Sequence, residues 1–358
     1  MLPHTYAWPG RSQLRRILAA ESPDLVEVCD KFWLIYLSGV LRRRWIPGLP
    51  TPAIVGLTCE RLDDNLSTYI SDGPLAHSLY GWYMRSCYAP RFDFHLAASE
   101  FIADELRPLL PERLRDRLRV APMGVDFEAF ANAPDAIDRR RDLLNRVGGN
   151  EKTVLLLYAG RLSKEKNLAI LPPLLARLAA QTRFDFRLII VGDGPSAVTL
   201  RDSLEGLVPG QSLFLGHFQR DELPALYAAA DVFIHPNPRE PFGIAPLEAM
   251  SAGLPLVAPA SGGVLTYANP QNAWLVANTP ESFAQAVRNI CAEPSLAQCK
   301  IENARRTAQE FSWPRITQNY FCIYDEFHLQ WLHQTLTQAR PSPLPASEIP
   351  VNNGGGAI

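Results

Sequence analysis

Two carboxylates, Glu240 and Glu248, stand eight positions apart in the stretch HPNPREPFGIAPLEAMSAGLPLVAPASGG. The pattern reads as a strand ending at Pro236, a loop holding Glu240 and Gly243, and a helix from about Ala245 that carries Glu248 and stops at Gly253. Gly243 lets backbone N–H groups come close to a ligand. The new helix points its unpaired N–H groups and partial positive charge at an anion such as a diphosphate. Carboxylates are bidentate acceptors for sugar hydroxyls. These residue types suit a ligand that is anionic at one end and rich in hydroxyls at the other.

A sheet has to hold them. From residue 152 the chain alternates short apolar runs with helical patterns: TVLLLYAGR, RLIIVGDG, SLFLGHF, DVFIHP, LPLVAPA and AWLV. Continuous Val, Ile and Leu runs indicate strands buried on both faces, and their alternation with helices predicts a parallel, doubly wound α/β domain over residues 150–312. Ligands of such sheets bind outside the carboxyl ends of the strands, which puts Gly160, Arg161, Gly192, Asp193, Gly194, Gly216 and His235 to Pro238 at the mouth.

The first 140 residues repeat the style more faintly. PDLVEVCD, AIVGLTCE, FHLAAS and LRVAPMG read as four strands, with SEFIADELRPLL helical between two of them and an opening helix over Gln13 to Ala20. Asn132 to Gly149 reads as the connection between the domains. After Phe311, the apolar and aromatic residues Trp313, Ile316, Tyr320, Ile323, Tyr324, Phe327 and Trp331 follow helical spacing. They predict one long amphipathic helix over 313–336, with Pro314 in its first turn, packing back towards the first domain. The tail at 339–358, rich in Pro, Gly and Ser, is expected to be disordered.

In this order the motifs AGRLSKEKN, VGDGP, LGHF, ELPALYAAADVFIHP, APMGVDFEAF and the glutamate pair around its glycine loop resemble the retaining nucleotide-sugar glycosyltransferases of family 4. The resemblance covers about residues 20 to 335 and implies a GT-B fold, two Rossmann-like domains facing across a cleft. It also implies roles. Arg161 and Lys166 would hold the donor diphosphate, Glu248 the ribose hydroxyls, and Glu240 with the backbone of Phe242, Gly243 and Ile244 the transferred sugar. For Gly192 and Gly194, nucleotide binding and a tight strand-to-helix turn without ligand contact stand level, and His217 lies where relatives contact the base through the backbone. Taken singly, Glu248 reads as a solvated helix residue and Arg161 as a strand-end cation paired with Glu165. Their convergence on one sheet edge argues for a site.

The family's first domain ordinarily opens with a strand and a glycine-rich loop, and this chain is expected to lack those opening strands. Where relatives place a histidine near the transferred sugar, the sequence has LTCERLDD, which brings Cys59 and Glu60 to the acceptor or sugar side. Glu60 there can hydrogen-bond the sugar or take the acceptor's proton, while a capping or surface role for Glu60 and Asp63 is the competing reading. Cys59 reads as a small buried residue rather than a nucleophile. His95 reads as a core residue; for His235 a cleft role and a core role stand level.

Several classes are excluded by composition and pattern. The 358 residues carry 35 Lys and Arg against 37 Asp and Glu, so no global field favours nucleic acid as a partner. No apolar run reaches the roughly 18 residues of a membrane-spanning helix. The six cysteines never form a C-x-x-C pair, which reads as a reduced cytoplasmic setting without structural zinc. G-D-G-P is no dinucleotide fingerprint, so a nicotinamide enzyme is disfavoured.

Two stretches, Lys31 to Trp45 and Leu79 to Phe92, mix aromatics with arginine. They fit either a peripheral contact with the inner face of the membrane or core helices ending in cations. The expected activity is retaining transfer of a hexose from a UDP- or GDP-linked sugar to an acceptor hydroxyl of a lipid or glycan, with no metal and no cofactor. The alternative is a catalytically impaired nucleotide-sugar-binding or assembly protein.

Overall fold

The strands lie where Val, Ile, Leu and Phe run without a polar face, and they build two parallel sheets. The computed structural model describes residues 11–31, 34–42, 51–61, 73–180 and 183–338. The tail at 339–358, Asp63, and residues 32–33 and 43–45 of the first aromatic stretch lie outside them.

The first sheet has the order β1-β2-β3-β4, with β1 Leu25–Val28, β2 Ala53–Thr58, β3 Phe94–Ala97 and β4 Leu118–Val120. The second has six strands: β5 Thr153–Ala159, β6 Asp185–Val191, β7 Ser212–Gly216, β8 Val232–Ile234, β9 Leu256–Pro259 and β10 Trp274–Val276. Their spatial order is β10-β9-β8-β5-β6-β7, and every pairing is parallel. The strand order reverses between β5 and β8, and a doubly wound sheet opens a ligand crevice at such a reversal. Arg161 follows β5 and His235 follows β8, so the topology alone brings both to that crevice.

In the first domain the helices are α1 Arg11–Glu21, α2 Ile35–Arg42, α3 Pro74–Tyr83, α4 Glu100–Leu106, α5 Glu112–Arg115 and α6 Phe127–Ala131. The segment expected to join the domains contains a regular helix, α7 Ala136–Arg146, which is fixed to the second domain. Arg140 there donates to Asp231 at 3.1 Å and to the carbonyls of Ala229 and Thr153, while Asp231 also accepts from the Leu155 N–H at 2.7 Å. The second domain continues with α8 Leu171–Ala179, α9 Ala197–Leu207, α10 Leu223–Ala229, α11 Ile244–Ala252, α12 Pro280–Ala292 and α13 Pro294–Glu310.

The last helix, α14 Trp313–Gln338, returns to the first sheet. Phe327 stacks on Phe94 with centroids 4.3 Å apart, and the Tyr320 hydroxyl donates to the Ala121 carbonyl at 2.9 Å. Its start is joined to the segment after β4: Val125 N–H donates to Phe311 and Trp313 N–H to Val125. Gly124 permits this join, because a Cβ there would lie 2.5 Å from the Trp313 ring.

The aromatic stretches divide. Met84, Tyr88 and Phe92 are fully buried in the first domain, whereas Leu75, Leu79 and Trp82 on α3 are 60% or more exposed. On α2, Ile35 and Leu41 are buried and Tyr36 is exposed. No helix among the described residues is long and apolar enough to cross a membrane. His95 sits in the core beside Tyr88 and Phe92, its Nε2 3.2 Å from the Ala89 carbonyl oxygen, and burial lowers its pKa to about 4.

Candidate active site

Glu240 follows β8 in a loop that the backbone holds tightly. The Glu240 carbonyl accepts from the Gly263 N–H at 2.6 Å, and a Cβ on Gly263 would fall 1.9 Å from the Pro241 oxygen. Gly243, at φ 89°, caps α11 in a left-handed conformation that a side chain would strain, and a Cβ there would press on the Tyr267 hydroxyl and the Glu240 Cγ. The Tyr267 hydroxyl in turn donates to the carbonyls of Phe242 and Gly243, so a buried phenol fixes the loop from below. Gly253 closes the helix at φ 75°.

The Glu240 carboxylate is mostly buried and accepts three hydrogen bonds. Lys166 Nζ reaches its two oxygens at 2.9 and 3.1 Å, and Asn237 Nδ2 donates to Oε2 at 2.8 Å. Burial pushes its pKa upward, but the Lys166 ammonium, His235 and the two hydrogen-bond donors outweigh that and hold it below the ordinary carboxylate value. Lys166 comes from the short turn Lys164–Lys166 after β5. Asn167 next to it, in a left-handed conformation, ties that turn to the strand end by donating to the Pro236 carbonyl at 2.9 Å.

Arg161, by contrast, is exposed at the end of β5 and makes no ion pair among the described residues. Its backbone carbonyl accepts from the buried Tyr158 hydroxyl at 3.0 Å. Glu165, the partner in the competing reading, instead accepts from the Ser163 hydroxyl.

Two adjoining cavities open along the strand ends, and Gly160, Arg161 and Ala245 line both. The first, of about 420 Å³, lies between the domains: Lys166, His235, Glu240, Phe242, Gly243 and Ile244 face Cys59, Glu60, Arg61 and Met123 of the first domain. The second, of about 800 Å³, lies wholly on the second domain and is lined by Gly192, Gly194, His217 and Glu248. The two glutamates therefore serve neighbouring chambers, with the exposed guanidinium of Arg161 and the first turn of α11 between them.

Glu248 accepts from the Tyr227 hydroxyl at 2.9 Å, and burial raises its pKa against the pull of Tyr227 and Arg220. Gly192 is required for the wall: at φ 129°, a Cβ would lie 1.9 Å from the Gly160 carbonyl oxygen. His217 is exposed at the rim.

Across the first cavity, Glu60 is exposed, and the Lys31 ammonium donates to its carbonyl. Cys59 is half-buried with its Sγ 3.9 Å from that of Cys29. Their interaction lowers the Cys29 pKa to about 7 and pushes that of Cys59 up, with burial adding to the latter. Two features carried no signal in the sequence. Ser99, the N-cap of α4, donates to the Pro241 carbonyl at 2.5 Å and so joins the domains at the Glu240 loop. Tyr267 fixes the Glu240 loop by contacts visible only in three dimensions, whereas Asn237 belongs to the stretch His235 to Pro238 expected at the mouth. Among the described residues no group of three or more His, Cys, Asp or Glu side chains is placed to hold a metal ion.

Residues 140–307, most of the second domain, match the protein family described as "Glycosyl transferases group 1". Among similar proteins is a GDP-mannose-dependent alpha-(1-6)-phosphatidylinositol dimannoside mannosyltransferase of Mycobacterium tuberculosis. It is 28% identical over 303 residues, which are 84% of this chain and 74% of that protein. An uncharacterized glycosyltransferase of Methanocaldococcus jannaschii is 29% identical over 220 residues, 58% of this chain and 54% of its own length, so the chain spans about half of that relative.

Among solved structures, Anabaena HepE in complex with UDP and glucose superposes with a TM-score of 0.71 at 19% identity, covering 88% of this chain and 82% of that one. A Rickettsia africae glycosyltransferase gives 0.70 at 20% identity, covering 88% and 80%. The fold is α/β with two parallel-sheet domains, as in GT-B glycosyltransferases.

Proposed function

We propose that the protein is a retaining glycosyltransferase of family 4 that moves a hexose from a UDP- or GDP-linked donor to an acceptor hydroxyl of a lipid or glycan. The observation that carries the reading is the paired chamber. A carboxylate neutralised by Lys166 faces the interdomain cavity, a second carboxylate lies in the neighbouring cavity, and an exposed arginine with a helix N-terminus stands between them. In this reading the diphosphate lies at Arg161, Lys166 and the first turn of α11, the ribose at Glu248, the base beside His217, Gly192 and Gly194, and the sugar at Glu240 and the backbone of Phe242, Gly243 and Ile244.

Breaking the bond between the sugar's anomeric carbon and the phosphate oxygen leaves a third negative charge on the diphosphate, the second on its terminal phosphate. Cations and backbone N–H groups aimed there stabilise the transition state more than the ground state. The acceptor oxygen attacks from the same face, and the departing phosphate oxygen takes its proton, giving the glycoside and a nucleoside diphosphate. Glu240, held by Lys166 and Asn237, positions the sugar and is not a nucleophile in this scheme. The same cations perform the neutralisation that Mg²⁺ performs elsewhere, so no metal is required and turnover is expected to survive EDTA.

A lipid acceptor is supported by α3. Leu75, Leu79 and Trp82 share one exposed stripe, followed by exposed Arg85, in the domain that supplies the Cys59 and Glu60 wall. Apolar residues flanked by cations suit a peripheral contact on the inner, cytoplasmic face of a membrane. Sedimentation with anionic vesicles checks it: Leu79→Glu with Trp82→Glu should leave the protein in the supernatant.

The test of the activity is incubation with UDP- and GDP-sugars, with and without acceptor lipids and glycans, reading nucleotide release and the anomeric configuration of the product. Inverted configuration overturns the retaining scheme. Binding of nucleotide sugars without release, under all acceptors tried, would favour a non-catalytic binding protein.

A further inference from the structure

His235 is unused by the scheme above, although it lines the interdomain cavity beside Glu240. It extends β8 by one residue, its N–H donating to the Val257 carbonyl at 2.9 Å, which fixes the backbone. The side chain is buried at 6% exposure, and among the described residues Nε2 has no hydrogen-bond partner. Glu240 Oε2, at 3.8 Å, is too far away to serve as one. Burial, with the Lys166 charge nearby, lowers the imidazole's pKa to about 4 despite the attraction of Glu240, so the ring is neutral at ordinary pH.

Buried polar atoms are overwhelmingly hydrogen-bonded, and one left over beside a cavity is a place for a ligand atom. The geometry limits what that atom is. An oxygen about 2.8 Å from both Nε2 and the Glu240 carboxylate closes the 3.8 Å gap as two ordinary hydrogen bonds. It must donate to the carboxylate, which accepts three bonds from Lys166 and Asn237 and retains about one further acceptor site. In the tautomer that carries the proton on Nε2, it also accepts from the ring. A hydroxyl does both, as water does until a ligand hydroxyl replaces it; a phosphate oxygen or a carbonyl cannot donate, and an ammonium cannot accept.

We infer that His235 and Glu240 together clasp one hydroxyl of the transferred sugar, making His235 a sugar-binding residue that selects donors by the presence of that hydroxyl. The inference rests on the glycosyltransferase reading but concerns a residue to which that reading gives no task. It also separates the contacts that hold the diphosphate from the contact that recognises the sugar.

The experiment is calorimetric titration of the full chain with UDP, GDP, UDP-glucose and GDP-mannose, for the natural sequence, His235→Leu and His235→Gln, with melting temperatures to verify folding. The expected result is a loss of about tenfold in affinity for the sugar nucleotide in His235→Leu, with affinity for the matching diphosphate unchanged and part of the loss restored by His235→Gln. Among monodeoxy analogues of the donor, one should bind the natural sequence about as weakly as the complete donor binds His235→Leu, and show no further loss with that variant.

Equal weakening of diphosphate and sugar nucleotide, or no weakening of either, overturns the clasp while leaving the transferase reading intact. If the natural sequence binds neither diphosphate nor sugar nucleotide, the transferase reading fails first. Should His235→Leu not fold, the diphosphate-to-sugar-nucleotide affinity ratio of His235→Gln decides the question in the same way.

Discussion

The two domains share one architecture and divide the work unequally. Both are parallel sheets under helices, yet most of the charged and hydrogen-bonding groups of the candidate site come from the second: Arg161, Lys166, Asn237, Glu240 and Glu248. The first contributes a wall, with Cys59, Glu60, Arg61 and Met123, and one strap, Ser99. The difference follows from the sheets. In the second, the strand order reverses between β5 and β8 and opens a crevice onto which loops from both halves converge. In the first, the described strands run in sequence order, and among the described residues there is no such reversal. The lesson is that a shared fold fixes where a site can form, and the connection order decides which copy forms it.

The largest expected effect tests that division directly. Lys166→Ala and Glu240→Gln should each lower kcat by about 10²–10³, the usual cost of removing one preorganised electrostatic contact from a transition state. Far-ultraviolet circular dichroism should stay native. Glu60→Gln, on the opposite wall, should act mainly on the acceptor KM. A Glu60 variant as crippled in kcat as the Lys166 variant would move chemistry into the first domain and break the comparison.

A smaller effect is expected at the strap. Ser99→Ala removes the bond to the Pro241 carbonyl, and an ordinary neutral hydrogen bond contributes about 0.5–1.5 kcal/mol, so kcat/KM should fall about three- to tenfold. Because Ser99 also caps α4 through the Ile102 N–H, Ser99→Asp is the informative companion: it keeps the cap but cannot donate to the carbonyl. If the aspartate variant recovers activity as well as stability, the strap does nothing for the site.

Sequence and structure agree most where chemistry is local. The six strands of the second domain were legible because each is a continuous apolar run, and the Glu240 to Glu248 spacing was legible because loop, glycine and helix are contiguous. The four strands of the first domain could be read despite their shorter, fainter runs. What escaped are the relations between distant residues. Asn132 to Gly149 has the composition of a connection, but the Arg140 contacts to Asp231, Ala229 and Thr153 draw its middle into a helix against the second sheet. Ser99 and Pro241 lie 142 positions apart, and no spacing rule relates them. In the stretch from Leu79 to Phe92, one aromatic pattern serves two surfaces, because Leu79 and Trp82 face outward while Tyr88 and Phe92 fill the core.

The smallest expected effects are those of the two glutamates on stability, and they differ in sign. Glu240 has a folded pKa below its ordinary value of 4.5, so its ionised form stabilises the native state. That contribution is complete above 4.5 and is lost as the pH falls through the lower folded value. Glu248 has a folded pKa above 4.5, so the native state holds its proton more tightly than the unfolded chain does, and stability declines as the pH rises from 4.5 through that higher value.

At neutral pH, Glu240→Gln should therefore lower the melting temperature, since it also strips Lys166 of its partner. Glu248→Gln should raise it slightly while still accepting the Tyr227 hydroxyl. The rise should be about 2 °C or less, given that 1 kcal/mol moves a domain of about 150–250 residues by about 2–4 °C. Melting curves at pH 7, set beside nucleotide titrations, give the decisive pairing. A Glu248→Gln protein that melts higher and binds nucleoside diphosphate more weakly identifies a buried carboxylate kept for its ligand at a cost in stability. One that melts lower would show that carboxylate to be a structural partner of Tyr227, and the second cavity would lose its claim to the ribose.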